Sequence, residues 1–251
     1  MRRALAALAV ALVAAGCGSS SNSGSGHPQL IVSAASSLRN AFADYGKQFK
    51  QATVRLSFGG SDELAAQIRA GGPADVFAAA NAKLPDQLFA EGRVDKPVKF
   101  TANRLVLAVP AGDSRVKRLG DLVTPGVKVA IGSATVPIGS YTRKVLAGLP
   151  SLERNRILAN VKTEEPDVAG IVGKLTQGAV DAGFVYITDV RAAGGALRAI
   201  QLPARLRPTV VYEAAVVKDS KHQPQARAFI DGLVTGRGQT ILHKAGFLPL
   251  L

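Results

Sequence analysis

The chain has 251 residues, of which 47% are hydrophobic, and its 31 basic and 18 acidic side chains give a formal net charge of +13. This length is sufficient for a well-buried core, arranged as one large domain or as two smaller ones. The basic residues are scattered rather than grouped into a stripe, which argues against a nucleic-acid partner and favours attraction to anionic lipids or anionic solutes. A solvated basic surface without function is the alternative. The single cysteine excludes a disulfide within the chain.

The first residues have the pattern of an export signal. Arg2 and Arg3 precede an uninterrupted apolar run at 4–15. This run is too short for a transmembrane helix of ~20 residues, but it suits the hydrophobic region of a secretory signal, which has roughly 7–15 residues. Small residues then lead into Cys17, which resembles the lipobox of bacterial lipoproteins. The resemblance implies that 1–16 is a cleaved signal peptide and that lipidated Cys17 anchors an exported protein to the outer face of the cell membrane.

The segment after the apolar run is rich in glycine and serine. Residues 18–26 contain only these two types apart from Asn22. Such a composition behaves as a flexible coil, so we interpret 17–26 as a tether between the membrane and a folded body. An ordinary signal peptide with an incidental cysteine is the alternative.

Short apolar runs alternate with helical patterns along the rest of the chain. A strand at 30–32 is followed by a helix whose apolar face carries Leu38, Phe42, Tyr45 and Phe49. Further strands are predicted at 54–58, 75–78, 105–109, 127–131 and 182–186, with helical patterns at 64–68 and 168–175. Repetition of strand, helix and strand predicts an α/β fold with a parallel or mixed sheet covered on both faces.

Four predicted junctions between a strand and a helix carry small or turn-forming residues, at 36–37, 60–61, 137–139 and 166–168. In open α/β sheets the ligand site lies beyond the carboxyl ends of the strands, where helix N-termini point. Each N-terminus presents unpaired N–H groups and the positive end of a helix dipole, so several that converge form an anion site. The alternative is that each junction is only a helix cap, because serine, aspartate and proline are common there.

Motifs at these junctions follow one another in a characteristic order. They are VSAASSL at 32–38, SFGGS at 57–61, GPADVF at 72–77, NRLVL at 103–107, VPIGSY at 136–141 and DAGFVYITD at 181–189. Together they resemble the periplasmic molybdate-binding proteins of ABC transporters, and the similarity runs from about Leu30 to the end of the chain.

The resemblance implies a two-lobed periplasmic-binding-protein fold of type II, in which each lobe is a mixed sheet flanked by helices and two hinge strands cross between lobes. It places lobe one at 27–101 plus 216–251 and lobe two at 102–215. The lobes would close around the ligand by a hinge motion. The closed protein, expected to be a monomer, would then be recognised by a membrane permease.

The family's oxyanion contacts fall on five residues of this chain. Ser37 and Ser61 would each donate a hydroxyl and a backbone N–H, Ile138 and Val168 would donate backbone N–H groups, and the Tyr186 phenol would complete the ring. Tyr186 is expected nearer to the cleft mouth than the serines.

Three features depart from the family pattern. Ile138 stands where alanine is usual, and Ser133-Ala134 replaces an Asp-Pro pair. Asp62 and Glu63 follow the second serine directly, and we expect both carboxylates to face solvent, where they favour the helix start.

A site built only from donors suits molybdate, which is a tetrahedral dianion with acceptors and no proton to donate. Such a site rejects protonated phosphate, whose O–H finds no acceptor there. Sulfate has the same charge and symmetry but is smaller, whereas tungstate is nearly the same size as molybdate. The predicted function is therefore extracytoplasmic capture of molybdate and tungstate, without any cofactor and without a metal beyond the oxyanion itself.

Two other binding functions and one enzymatic function are alternatives. A binding protein for sulfate or another tetrahedral oxyanion, and an extracytoplasmic sensor with the same pocket, are open alternatives. A secreted serine hydrolase is disfavoured because His27, His222 and His243 lie away from the serine-bearing turns and no Gly-x-Ser-x-Gly elbow is present. The chain also lacks the His, Cys and carboxylate spacing of a metal site, so we expect no enzymatic activity.

Overall fold

A computed structural model describes residues 27–112 and 115–250 of the chain. The predicted signal peptide at 1–16, the lipidation site Cys17 and the tether at 18–26 lie outside the described residues. They stay predictions of the sequence.

Ten strands and nine α-helices make up the described residues. The strands are β1 (Gln29–Ala35), β2 (Thr53–Gly59), β3 (Val76–Ala79), β4 (Val98–Asn103), β5 (Leu105–Pro110), β6 (Val129–Gly132), β7 (Val161–Glu165), β8 (Ala182–Tyr186), β9 (Leu197–Gln201) and β10 (Val210–Val216). The helices are α1 (Arg39–Gln48), α2 (Ser61–Arg69), α3 (Lys83–Ala90), α4 (Pro137–Ala147), α5 (Ser151–Ala159), α6 (Val168–Thr176), α7 (Ile187–Ala192), α8 (Gln223–Val234) and α9 (Arg237–Ala245). Among them, none combines the length and the apolar composition that a membrane crossing requires.

The strands form two mixed sheets of five strands each. The first has the order β2-β1-β3-β10-β4, with β1 parallel to β2 and β3 and with β10 antiparallel to β3 and β4. The second has the order β7-β6-β8-β5-β9, with β6 parallel to β7 and β8 and with β5 antiparallel to β8 and β9. Each sheet lies in its own lobe, which confirms the predicted two-lobed α/β architecture.

The chain crosses between the lobes twice, but not at the predicted positions. Arg104 alone separates β4 in lobe one from β5 in lobe two, so lobe one extends slightly beyond residue 101. The second crossing is at 202–209, between β9 and β10. The prediction that lobe two continues to residue 215 is wrong, because β10 pairs along its length with β3 and β4 of lobe one.

The apolar face predicted for the first helix packs into the core of lobe one. Leu38, Phe42 and Tyr45 are buried, and Phe49 packs against the same core. The Phe229 ring of α8 contacts three of these aromatic rings, with its centroid 4.6 Å from that of Tyr45. This packing fixes α1 against β1 and thereby holds the turn between them, which carries the first predicted ligand residue.

Candidate functional site

The five predicted contact residues surround one small pocket between the lobes. Ser37 and Ser61 line it from lobe one, and Ile138, Val168 and Tyr186 line it from lobe two. Its cavity volume is about 10 Å³. Because sites for drug-sized ligands have volumes of roughly 300–1,000 Å³, this pocket excludes solutes of that size.

Ser37 lies in a short 3-10 turn, Ser36–Leu38, between β1 and α1. It therefore precedes the first α-helix instead of starting it. The side chain is half-buried, and its Oγ is 2.9 Å from the hydroxyl oxygen of Tyr212 in β10. Tyr212 was not predicted as part of the site, since it is far from Ser37 in sequence.

Ser61 is the first residue of α2 and is 1% exposed. The N-cap is Gly60, and no side chain caps this helix, so the alternative that Ser61 serves only as an N-cap is wrong. The Ser61 Oγ instead accepts a hydrogen bond of 3.2 Å from the backbone N–H of Ala80. With its oxygen engaged in this way, the hydroxyl proton is available to a solute in the pocket.

Ile138 and Val168 stand where the first N–H groups of two helices are unpaired. Pro137, the first residue of α4, has no N–H, so Ile138 supplies the first donor of that helix. In α6 the Asp167 carboxylate caps the helix by accepting from the Gly170 N–H at 2.9 Å, which leaves the N–H of Val168 uncapped. Both helix ends therefore offer backbone donors at the pocket, whatever side chains these positions carry.

Two glycines permit the close packing that shapes the pocket. A Cβ on Gly139 of α4 would lie 1.8 Å from the carbonyl oxygen of Ser133, so the helix start presses directly on the loop that replaces the family's Asp-Pro pair. A Cβ on Gly60 would lie 2.6 Å from the carbonyl oxygen of Pro166 in the other lobe. The lobes thus meet backbone to backbone beside the pocket, which is the closed arrangement.

Tyr186 ends β8 and is 1% exposed, so the expectation that it lies near the cleft mouth is wrong. Its buried hydroxyl has no hydrogen-bond partner among the described residues. Burial raises the pKa of this phenol well above its usual range, so the group is a neutral donor. A buried hydroxyl without a partner costs ~1–3 kcal/mol, which a solute with an acceptor oxygen in the pocket would recover.

Among the described residues, Asp167 is the one acidic residue that lines the pocket, and its carboxylate caps α6. Glu63 is exposed, as expected, whereas Asp62 is half-buried; neither lines the pocket. Asp189 of α7, which sequence analysis missed as a site neighbour, accepts from the backbone N–H of Tyr186 at 2.8 Å. Burial, reinforced by the nearby Asp167, raises the pKa of Asp189 to about 7.

Basic side chains do not line the pocket. Across 27–112 and 115–250, there is no group of three or more His, Cys, Asp or Glu side chains arranged to hold a metal ion. The pocket therefore attracts an anion through hydroxyl and N–H dipoles at helix N-termini. Binding of an anion by these five residues stays a prediction.

Comparison with known proteins places this architecture in a family. Residues 30–248 match the sequence profile of the bacterial extracellular solute-binding proteins. The chain is 32% identical to the molybdate-binding protein ModA of Mycobacterium tuberculosis, an alignment that covers 96% of this chain and 94% of that protein. It is 30% identical to a Bacillus subtilis protein, YvgL, named as a substrate-binding lipoprotein of an ABC transporter, over 97% of this chain and 96% of that protein.

A solved structure has the same fold. The periplasmic molybdate-binding protein of Azotobacter vinelandii superposes with a TM-score of 0.78 at 24% identity, covering 88% of this chain and 100% of that one. The profile match spans both lobes and both crossings. The chain belongs to the bacterial extracellular solute-binding proteins.

Proposed function

We propose that this protein captures molybdate or tungstate outside the cell and delivers it to an ABC transporter permease. The observation that carries the proposal is the buried Tyr186 hydroxyl, which has no hydrogen-bond partner among the described residues. Tyr186 lines the same pocket as the two serines and the starts of α4 and α6. The name of the M. tuberculosis relative supports molybdate as the ligand, and the name of the B. subtilis relative supports delivery to an ABC transporter.

The donors around the pocket match the chemistry of a tetrahedral dianion. Charge-assisted hydrogen bonds contribute ~1.5–3 kcal/mol each, so roughly seven hydroxyl and N–H donors supply ~10–20 kcal/mol. Association costs of ~4–15 kcal/mol are subtracted from this gain. The remainder is sufficient for affinities up to about nanomolar.

Binding without catalysis fits the partners of the two serines. An enzyme nucleophile needs a general base within hydrogen-bond reach. The Ser61 oxygen instead accepts from a backbone N–H, and the partner of Ser37 is the Tyr212 phenol, whose pKa burial raises well above its usual range. We therefore propose a monomeric carrier that performs no chemistry on its ligand and needs no cofactor.

Calorimetry with molybdate, tungstate, sulfate and phosphate on the purified full chain tests this function. We expect molybdate and tungstate to bind with similar affinities, at least a hundredfold more tightly than sulfate, a gap of ~2.7 kcal/mol. Equal affinity for sulfate would identify a sulfate-binding protein instead. A failure to bind all four oxyanions would refute the proposed function.

We also propose that Cys17 is lipidated and anchors the protein to the outer face of the cell membrane. The position of Cys17 between an apolar run and a Gly/Ser segment supports this, as does the lipoprotein named in B. subtilis. Cys17→Ser should release the protein into the medium or leave the precursor uncleaved, whereas a Ser19→Ala control should stay with the membrane. Normal cleavage and membrane retention of Cys17→Ser would contradict the proposal.

A further inference from the structure

We infer that Asn103 and Tyr212 are positioning residues that fix Ser37 as a hydrogen-bond donor toward the pocket, and that they thereby set the preference for fully deprotonated over protonated oxyanions. The inference rests on the proposed oxyanion-binding function. It concerns two residues outside the predicted contact set, and it follows from the direction in which each of their hydrogen bonds must run.

Asn103 is the first residue in a chain of hydrogen bonds that runs through Tyr212 to Ser37. It ends β4 at the first crossing between the lobes and is 5% exposed. Its Oδ1 accepts from the Arg104 backbone N–H at 2.8 Å. Because an N–H group can only donate, this bond determines the orientation of the amide. The Nδ2 group therefore donates its two protons to the Thr188 Oγ1 at 2.9 Å and to the Tyr212 hydroxyl at 3.3 Å.

Tyr212 accepts from Asn103 and therefore donates to the next residue in this chain of hydrogen bonds, Ser37. Its side chain is fully buried, and burial raises its pKa well above the usual range, so the phenol keeps its proton. The oxygen already accepts from Asn103, and the Ser37 Oγ lies 2.9 Å away. Among the described residues, only the Ser37 Oγ is placed to accept the proton of the Tyr212 hydroxyl. Tyr212 accordingly donates to Ser37, because the reverse would leave a buried hydroxyl proton without a partner.

Ser37 is thereby committed as a donor to the pocket. Its oxygen receives the Tyr212 proton, so its own hydroxyl proton is free for the ligand. Ser61 reaches the same state through the Ala80 N–H. A ligand oxygen without a proton satisfies both serines. A protonated oxyanion that turns its O–H toward either serine meets a hydroxyl that is itself donating, so that pair of protons lacks an acceptor.

The test reverses the chain of hydrogen bonds at its start. Asn103→Asp keeps the shape of the side chain and the acceptor for the Arg104 N–H, but it replaces the donating NH₂ by a second acceptor oxygen. Tyr212 should then donate to this carboxylate and accept from Ser37, which would present lone pairs to the pocket. The readout is the ratio of molybdate affinity to hydrogen phosphate affinity, measured by calorimetry on the full chain at an alkaline pH where both ions are dianions.

We expect Asn103→Asp to lower this ratio by roughly tenfold or more, which corresponds to about 1.4 kcal/mol. The added charge repels both dianions alike and therefore changes their separate affinities more than their ratio. Tyr212→Phe, which interrupts the chain and frees a Ser37 lone pair, should lower the ratio by a smaller factor. In a protein that already carries Tyr212→Phe, Asn103→Asp should cause no further change in the ratio. The hydroxyl through which residue 103 orients Ser37 is then absent.

Tyr45→Phe is the matched control for loss of a buried tyrosine hydroxyl. That hydroxyl donates to the Phe229 carbonyl in the core of lobe one, away from the pocket. The control should leave the ratio unchanged. An unchanged ratio in both Asn103→Asp and Tyr212→Phe would overturn the inference, and so would a drop in Asn103→Asp that persists without the Tyr212 hydroxyl. If the unaltered protein binds no oxyanion, the proposed function fails first, so the two failures are distinguishable.

Discussion

The two walls of the pocket offer different kinds of hydrogen-bond donor. Lobe one contributes the hydroxyls of Ser37 and Ser61, each oriented by a donor from elsewhere in the same lobe. Lobe two contributes mainly backbone N–H groups at the starts of α4 and α6, through Ile138 and Val168. A backbone donor at Ile138 does not depend on the side chain, although the resemblance leads us to expect alanine there. The donors of lobe two are mainly backbone N–H groups, which depend on the path of the main chain. The donors of lobe one are hydroxyls, which depend on the identity of the side chain.

The largest expected effect comes from preventing the two walls from meeting. Gly60 has φ −62°, which alanine adopts without strain, but its Cβ would press on the Pro166 carbonyl of lobe two. Overpacking against backbone costs ~1–3 kcal/mol, so Gly60→Ala should weaken molybdate binding by up to about a hundredfold while the melting temperature changes little. Gly59→Ala is the matched control, because its nearest contact would be an ordinary 3.5 Å. Unchanged affinity in Gly60→Ala would show that closure does not need this approach.

Val168 offers a direct test of the backbone donors in lobe two. Proline is tolerated at the first position of a helix, and Asp167 before it is already extended, so Val168→Pro removes the N–H without breaking α6. We expect calorimetry to show a loss of molybdate affinity of ~2 kcal/mol, the contribution of one charge-assisted bond. Val168→Ala keeps the N–H and should bind within a few fold of the unaltered protein. Equal losses in both variants would show that the side chain, and not the N–H, contacts the ligand.

Ser61→Ala and Tyr186→Phe should both weaken molybdate binding, by ~1.5 kcal/mol or more, because each removes one hydroxyl donor. Their effects on the ligand-free protein should have opposite signs. Ser61→Ala leaves the buried Ala80 N–H without its acceptor and should lower the melting temperature. Tyr186→Phe removes a hydroxyl that has no partner and should raise it slightly.

Calorimetry and ligand-free thermal melts of these two variants provide both readouts. A lowered melting temperature with full affinity in Ser61→Ala would exclude that serine from the site. A lowered melting temperature in Tyr186→Phe would show that its hydroxyl has a partner in the absence of ligand.

A separate expected effect, on stability and not on affinity, is a pH dependence from Asp189. An unfolded aspartate loses its proton near pH ~4, whereas in the folded protein the pKa of Asp189 is about 7. Between these values the folded state binds more protons, so the contribution of Asp189 to the free energy of unfolding falls as the pH rises from about 4 to about 7. Asp189→Asn keeps an acceptor for the Tyr186 N–H and removes the titration. Its melting temperature should therefore fall less over this range, and parallel curves for the two proteins would contradict the assignment.

Features that depend on neighbours in sequence were predictable. Pro137 marks the start of α4, Asp167 caps α6, and the spacing of Leu38, Phe42 and Tyr45 gives the buried face of the first helix. Each of these residues determines the structure within one or two helical turns of its own position, so the local sequence pattern is sufficient to predict the helix start or the buried face. The alternation of strands and helices predicted the α/β class for the same reason.

Other features depend on contacts between distant segments. The lobe to which β10 belongs is decided by its pairing with β3 and β4, since an apolar strand fits either sheet equally well by pattern. The burial of Tyr186 and the bond between Ser37 and Tyr212, which are 175 residues apart, likewise exist only after both lobes are assembled.

The sequence alone therefore determined which helices start at the ligand pocket and which residue types stand there. Tertiary structure decided where the lobes divide, that the Tyr186 phenol is enclosed, and which way the hydroxyl of Ser37 points. The physical reason is that a helix start is fixed by local backbone geometry. The direction of a hydrogen bond is instead fixed by the donors and acceptors that folding brings within about 3 Å of one another.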